Sequence, residues 1–266
     1  MDDRTPSVAP HQHPDLRLSF GPAAFAYAAH RPDYARAAAR WALESAPGPR
    51  VLDLGAGTGK LTATLVALGV EVVAVEPDPA MLTELRRSLP AVRALQGSAE
   101  AIPLPDASVD AVLAGNALHW FDMAVAGPEI ARVLAPNGVL AGLWNVLDDR
   151  VEWIAGLARA GGGAAIGPRD TFTGWRAETA RAHLPKNGGA ARFGSAEQRH
   201  FPHGQLRTAD SLVATLATRA GILVMPERER NAALSGIRAY LEKEPETARG
   251  EFTLPMLTGV LRVRRL

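Results

Sequence analysis

Short apolar runs alternate with segments whose apolar residues recur every three or four positions, from about residue 50 to about 145. The runs "VLDL" (51–54), "EVVAV" (71–75), residues 92–96, "VDAVLA" (109–114) and "GVLAGLW" (138–144) predict strands. Helical spacing predicts helices at 59–68 and 78–88 and a broken helical region at 122–134, with Pro128 placed to begin its second part. "APNG" is expected to turn the chain into strand 138–144. Upstream, "RPDYARAAARWALESA" (31–46) sets Tyr34, Ala38 and Trp41 on one side of a helix, bracketed by Pro32 and by "PGP" at 47–49. Strands that alternate with helices through short connections argue for a mostly parallel sheet covered by helices. Right-handed crossovers place its ligand crevice at the carboxyl ends of the strands.

After about residue 145 the rhythm breaks. "ARAGGGAAIGPRD" and "LPKNGGAARFG" read as irregular, with a helix-capable stretch near 174–183 between them. Regular structure is expected to resume with a strand at 197–202, helices at 208–219 and 227–243, and a last strand within 251–264. No internal repeat is visible. The resulting division is an unstructured lead-in (1–15), a lid and helix (16–46), the α/β core (47–149), a substrate-capping insertion (150–195) and a C-terminal part (196–266) that completes the core sheet.

Composition narrows the picture. With 266 residues, 47% hydrophobic and 21% charged, the chain reads as an ordinary soluble protein. It has no cysteine, which removes a disulfide framework, a thiolate metal site and a cysteine nucleophile. A net charge of +1 supplies no field that would draw in nucleic acid. The basic end "RVRRL" reads as a solvated strand end, with a polyanion contact as the alternative. No apolar run reaches the ~20 residues that span a bilayer. "MDDRTPSVAPHQHPD" lacks the apolar core of a secretory signal, so a cytoplasmic protein is expected.

The chemistry concentrates in "VLDLGAGTGKLT" (51–62). A phosphate-binding loop of the form G-x-x-x-x-G-K-[ST] fails twice, because Leu54 stands at its first glycine and Leu61 at its metal-binding hydroxyl. The dinucleotide fingerprint G-x-G-x-x-G counts from Gly55 and Gly57 to Lys60, a bulky residue where helix and strand must pack closely. Asp53 would also set negative charge near a pyrophosphate. S-adenosylmethionine (SAM) has no phosphate and carries a sulfonium and an ammonium, so an acidic residue beside the loop favours it. Its ribose needs an acidic residue at the end of the second strand, where Glu76 stands.

"VLDLGAGTG", "VVAVEPDPAML", "GSAEAIPLPDASVDAVLAG" and "LHWFD", in that order, resemble the class I SAM-dependent methyltransferases, and most nearly the small-molecule branch that includes trans-aconitate-type enzymes. The resemblance covers roughly residues 20–147 and the C-terminal segment loosely. It implies a Rossmann-like doubly wound sheet of seven strands, the last antiparallel, with helices on both faces. It further implies that Gly55, Gly57 and Gly59 let the backbone approach the methionyl end, with Asp53 near it. Glu76, followed by Pro77, takes the ribose hydroxyls. Met81 packs on the adenine face, against the alternative of plain core packing. The Ser98 hydroxyl and the Ala99 backbone N–H meet the adenine edge, although many relatives carry Asp where Ser98 stands. Asn116 lies by the methionyl group. Asp110 reads as a structural acceptor.

On the acceptor side, "GNALHWFD" (115–122) offers His119 as the candidate base; a loop-ordering histidine is the alternative. Trp120 lines the pocket or packs in the core. In the resembling group the segment before the core folds over the cofactor. This makes Phe20, Tyr27, His30, Arg31 and Tyr34 lid candidates, Tyr27 against the sulfonium and Phe20 and Tyr34 alternatively as packing. Trp144 and Asn145 are expected at the end of the fifth strand, facing the crevice. Arg150, Arg159, Arg169, Arg176 and Arg181 are candidates for holding a substrate carboxylate. His200 and His203 lack metal-ligand spacing, so no metal site is expected. The expected function is transfer of a methyl group from SAM to a small organic molecule, at a carboxylate or hydroxyl oxygen, leaving S-adenosylhomocysteine (SAH). A C- or N-methyltransferase of natural products, a SAM-binding protein without transfer, and a nicotinamide-dependent oxidoreductase are the alternatives. No nucleic-acid or membrane partner is expected, and the chain is expected to be a monomer or homodimer.

Overall fold

The computed structural model describes residues 28–179, 184 and 192–266. The expectations for residues 1–15, Phe20, Tyr27 and Arg181 lie outside the described residues. The apolar runs form β1 (Arg50–Leu54), β2 (Glu71–Glu76), β3 (Arg93–Gln96), β4 (Val109–Gly115) and β5 (Leu134–Leu147). Four more strands follow: β6 (Glu197–Pro202), β7 (Gln205–Arg207), β8 (Phe252–Leu254) and β9 (Met256–Arg264). One seven-stranded sheet has the order β3-β2-β1-β4-β5-β9-β6, while β7 and β8 form a separate two-stranded sheet. β1 to β5 pair in parallel, and β9 runs antiparallel to both β5 and β6.

Successive side chains of the central strands point to opposite faces. Leu52, Val112, Leu140 and Trp144 enter one core with Ile130 and Trp175. Val51, Leu113 and Leu143 enter the other with Ala38 and Leu65. The first face is covered by α4 (Met123–Val133) and α6 (Phe172–Thr179), as the residues Ile130 and Trp175 show. The second is covered by α1 (Arg36–Leu43) and α2 (Lys60–Val66). α3 (Pro79–Ser88) lies against β2 and β3. Burial on both faces explains why these strands read as near-continuous apolar runs.

A third cluster joins α5 (Glu152–Ala165), α7 (Ala209–Ala217), α8 (Ala220–Leu223) and α9 (Glu227–Lys243) to β8. Residues 152–165 therefore pack with C-terminal helices, while α6, from the same expected insertion, packs on the main sheet. The C-terminal part likewise divides: β6 and β9 extend the sheet, and the helices between them build this third cluster.

Four expectations need correction. The glycine-rich stretch 158–170 is not irregular throughout: it continues α5 as far as Ala165, with a kink at Gly162 (φ 64°), and ends in a 3-10 turn at Pro168–Asp170. Glycine at 156 lets α9 close on it, since a Cβ there would lie 2.1 Å from the Tyr240 hydroxyl, which donates to the Trp153 carbonyl at 2.9 Å. Pro128 does not restart a helix; it sits inside α4. The carbonyl it deprives of a donor belongs to Ala124, and both residues are exposed, on a side of the helix where solvent can replace the lost donor. "APNG" does not precede the fifth strand but forms a bulge within it: Val109 pairs with Leu134 and Ala111 with Val139, so residues 135–138 stand opposite Asp110. Asn137 there is left-handed (φ 62°), and a Cβ on Gly138 would meet the Ala135 carbonyl oxygen at 2.8 Å. The last strand is two strands, broken at Pro255.

Asp110 is the structural acceptor its position suggests. It accepts from Arg50 Nε at 2.9 Å, Nη2 at 2.8 Å and backbone N at 3.0 Å, tying β4 to the start of β1. The Arg50 guanidinium holds its carboxyl below the usual carboxylate range. Among the described residues no helix is long and apolar enough to cross a membrane.

Candidate functional site

The loop between β1 and α2 turns on Gly55, Gly57 and Gly59, with φ of 70°, 56° and 87°. These values fall in the region that glycine enters without strain. The N–H groups of Gly55 and Ala56 donate to the Val75 carbonyl at 2.9 and 3.1 Å, which pins the loop over the end of β2. A Cβ on Gly55 would sit 2.8 Å from that of Ala117, whereas one on Gly57 would meet nothing within 4 Å. The loop is thus tight on one side and open on the other.

Glu76, the last residue of β2, holds that geometry. One oxygen accepts from Gly57 N at 2.8 Å and the other from Asp78 N at 2.9 Å. Asp78 in turn caps α3, accepting from Ala80 N at 2.8 Å and Met81 N at 3.1 Å. Burial raises the Glu76 carboxyl above its ordinary pKa, and the two N–H groups act in the opposite direction.

These elements enclose a cavity of about 220 Å³ at the carboxyl ends of β1, β2 and β4. Of the residues expected from sequence, Gly55, Gly57, Glu76, Pro77, Met81, Ser98, Ala99, Asn116 and Trp120 all line it. Asp78, Glu100, Gly115, Ala117 and Phe121 line it too and were missed. Asp78 carried a signal, since Asp followed by Pro just before an apolar period marks a helix start. Glu100 is held in place by accepting from Asp122 N at 3.0 Å. Three carboxylates face the cavity, and none of its described lining residues is basic. Such a lining favours a cationic, phosphate-free nucleoside and opposes a pyrophosphate.

Asp53 and Gly59 do not line the cavity. Gly59 caps α2 behind it, where a Cβ would press on Leu85 at 3.0 Å. Asp53 is fully buried beneath the loop; Oδ2 accepts from the Thr62 hydroxyl at 2.6 Å, and Oδ1 has no hydrogen-bond partner among the described residues. Burial pushes its carboxyl up to about 7, with the Glu76 charge adding to the rise and Thr62 opposing it. A bound cation would offset this uncompensated buried acid, so the residues present fit SAM.

Leu118–Trp120 form a single 3-10 turn after β4. Leu118 enters the core and Trp120 faces the large cavity. His119 is turned away from it, into a smaller cavity with Trp144, Trp175, Arg169 and Glu178. Trp144 Nε1 donates to His119 Nδ1 at 3.4 Å, so a neutral His119 carries its proton on Nε2. Trp144 and Asn145 do not end β5, which continues to Leu147. Of the candidate arginines, Arg150 is paired with Asp148 (2.7 Å) and Arg169 with Glu178 (3.2 Å).

Arg31 lies in a third cavity, which shares Asn116 with the first. Asn116 is left-handed (φ 51°), and its side-chain oxygen accepts from Asn145 N at 3.3 Å. Asn145 Nδ2 donates to the Asp33 carbonyl at 2.7 Å, so residues 30–35 run as a strap beside the ends of β4 and β5. The strap is tied to the C-terminal part. Arg31 donates to Thr218, the Thr215 hydroxyl donates to the His30 carbonyl at 3.0 Å, and Asp33 bonds His203 and Gln205 at 3.1 and 3.0 Å. Tyr34 is buried and packs with α1.

Residues 52–142 match a family profile described as a methyltransferase domain. The chain is 41% identical over 249 residues to an uncharacterized methyltransferase of Mycobacterium tuberculosis, covering 93% of this chain and 96% of that protein. It is 42% identical over 100 residues to a demethylmenaquinone methyltransferase of Beutenbergia cavernae, covering 37% of this chain and 42% of that one. A solved structure from Anaeromyxobacter dehalogenans, named as a candidate type II methyltransferase, superposes with a TM-score of 0.57 at 26% identity. That match covers 88% of this chain and 97% of the other.

Proposed function

The chain belongs to the class I SAM-dependent methyltransferases, and from that premise we propose that it methylates an oxygen, carboxylate or hydroxyl, of a small organic molecule. Bound in the large cavity, SAM supplies a methyl carbon already activated by its sulfonium charge. The chain's own residues then have two tasks. Glu76 accepts from the ribose hydroxyls, Met81 packs on the adenine, and Ser98 and the Ala99 N–H meet its edge, which together fix the nucleoside. Asn116 and the glycine loop set the methionyl end against the acceptor side.

One observation carries the small-acceptor reading: the strap of residues 30–35 is bonded across to Asn145, Thr215, Thr218, His203 and Gln205. An acceptor reaching Asn116 on this side meets an enclosed space, which suits a small molecule and excludes water from the displacement. The net charge of +1 offers no track for a phosphate backbone. The relative from Beutenbergia is named for demethylmenaquinone, an organic molecule and not a nucleic acid or a protein.

Methyl-labelled SAM incubated with a fractionated cell extract tests the reading. Label is expected in low-molecular-weight material, and release of labelled methanol by mild base distinguishes a carboxyl ester from an ether. Label confined to RNA, DNA or protein would overturn it.

A carboxylate acceptor is already ionised and needs no base, so His119 is proposed to position the acceptor from the smaller cavity that it lines with Trp144 and Trp175. His119→Ala is expected to lower kcat about tenfold while SAH affinity in calorimetry stays unchanged. Equal loss in both would reduce His119 to ordering its loop.

A further inference from the structure

The third cavity, of about 20 Å³, lies between the strap and the helical cluster and meets the cofactor cavity at Asn116. Arg31, Arg207 and Arg219 converge on it from separate elements, and no described lining residue is acidic. Arg207, at the end of β7, donates through Nη2 to the His30 carbonyl at 3.2 Å, while its Nε is buried with no acceptor among the described residues. Arg219, before α8, pairs through Nη1 with Asp170, and its Nε is likewise buried with no acceptor among the described residues. Arg31 donates to the hydroxyl and carbonyl of Thr218 at 2.9 and 3.1 Å. Burial lowers the Arg207 pKa, with Asp33 the charge that opposes this, and Lys60 adds positive charge nearby. Two buried N–H groups without acceptors are costly unless a ligand supplies the oxygen.

We propose that this cavity is a carboxylate-binding subsite of the methyl-transfer centre, in which Arg207 and Arg219 receive the anionic group. The proposal rests on the small-acceptor reading above. The carboxylate has two sources, the acceptor or the methionyl end of the cofactor, since Asn116 lines both this cavity and the cofactor cavity. A guanidinium with a free Nε–H matches either.

Calorimetry on the full chain separates them. Wild type and Arg207→Met are each titrated with SAH, with 5′-methylthioadenosine, which lacks the amino-acid carboxylate, and with succinate after saturation by SAH. If the cofactor is the source, the variant loses SAH affinity about tenfold or more and keeps that for methylthioadenosine. If the acceptor is the source, it loses succinate affinity and keeps SAH. Arg207→Lys, which retains charge without the fork, is expected to recover part of either loss. The subsite is overturned if the Met variant binds all three as wild type does, or loses SAH and methylthioadenosine alike. These are binding measurements, so label found in a macromolecule would remove the small-acceptor reading without deciding them.

Discussion

Glu76→Ala is expected to weaken SAH binding about ten- to a hundredfold, the equivalent of about 1.5–3 kcal/mol for a charged hydrogen-bond acceptor. The carboxylate does two things at once. It presents lone pairs to the cavity, and it holds the N–H groups of Gly57 and Asp78 at 2.8 and 2.9 Å. Alanine removes the proposed ribose acceptor and leaves both N–H groups without their partner, so the glycine loop and the start of α3 lose the tie between them. Glu76→Gln separates these parts. Its amide has one carbonyl oxygen for two backbone donors, so one N–H would face an NH2 group. The glutamine variant is therefore expected to bind nearly as weakly as the alanine one, despite its matching size. Affinity unchanged by either replacement, in calorimetry on a folded variant, would remove the ribose from Glu76.

Most of the sheet was legible because its central strands are buried on both faces, which leaves "VLDL" and "VDAVLA" as apolar runs with glycine or proline close by. What escaped reading depends on partners distant in sequence. Trp153, Ile154, Leu157, Gly161 and Ala165 do recur at helical spacing, but the glycines between them resemble a loop until Tyr240 and Ile237 of α9 are seen packed against them. Pro128 is tolerated inside α4 at an exposed position, and its exposure depends on how the helix packs, which no local pattern announces. The bulge at Asn137 looks like a turn because it is built of turn residues; only the pairing to β4 on either side reveals it.

Most of the residues that line the large cavity were legible for a related reason. Gly55 and Ser98 stand just beyond the end of a strand, Glu76 is the last residue of one, and Met81 sits in the first turn of the helix that follows, where chain order and spatial order agree. The acceptor side follows no such order. Arg31, Arg207 and Arg219 come together only through the strap and the helical cluster; of these only Arg31 was singled out from sequence, and two of the insertion arginines are paired elsewhere, Arg150 with Asp148 and Arg169 with Glu178. His119 and Trp120, adjacent in the chain, face different cavities because a 3-10 turn rotates successive side chains by about a third of a circle.

SAM affinity is expected to rise about tenfold between pH 6 and pH 8, and Asp53→Asn is expected to remove most of that rise. In the cofactor-free fold Asp53 titrates at about 7, against an ordinary value of 3.8. Between those two values the unfolded chain has given up a proton that the folded chain retains, so raising the pH destabilises the empty protein. The loss is complete somewhat above pH 7 and amounts to about 4 kcal/mol. A sulfonium and an ammonium bound above the loop favour the ionised form, so binding expels the proton and strengthens as pH rises. The asparagine oxygen still accepts from the Thr62 hydroxyl, whose partner in wild type is Asp53 Oδ2 at 2.6 Å, so the fold is retained. The variant should therefore melt at a higher temperature than wild type at pH 8 without cofactor, yet bind SAM there about as weakly as wild type does at pH 6. SAH, whose sulfur is neutral, should lose less than SAM. Calorimetry in two buffers of different ionisation enthalpy reads the expelled proton directly. Wild-type binding that is independent of pH and releases no proton would mean that the buried acid beneath the glycine loop does not sense the cofactor's charge.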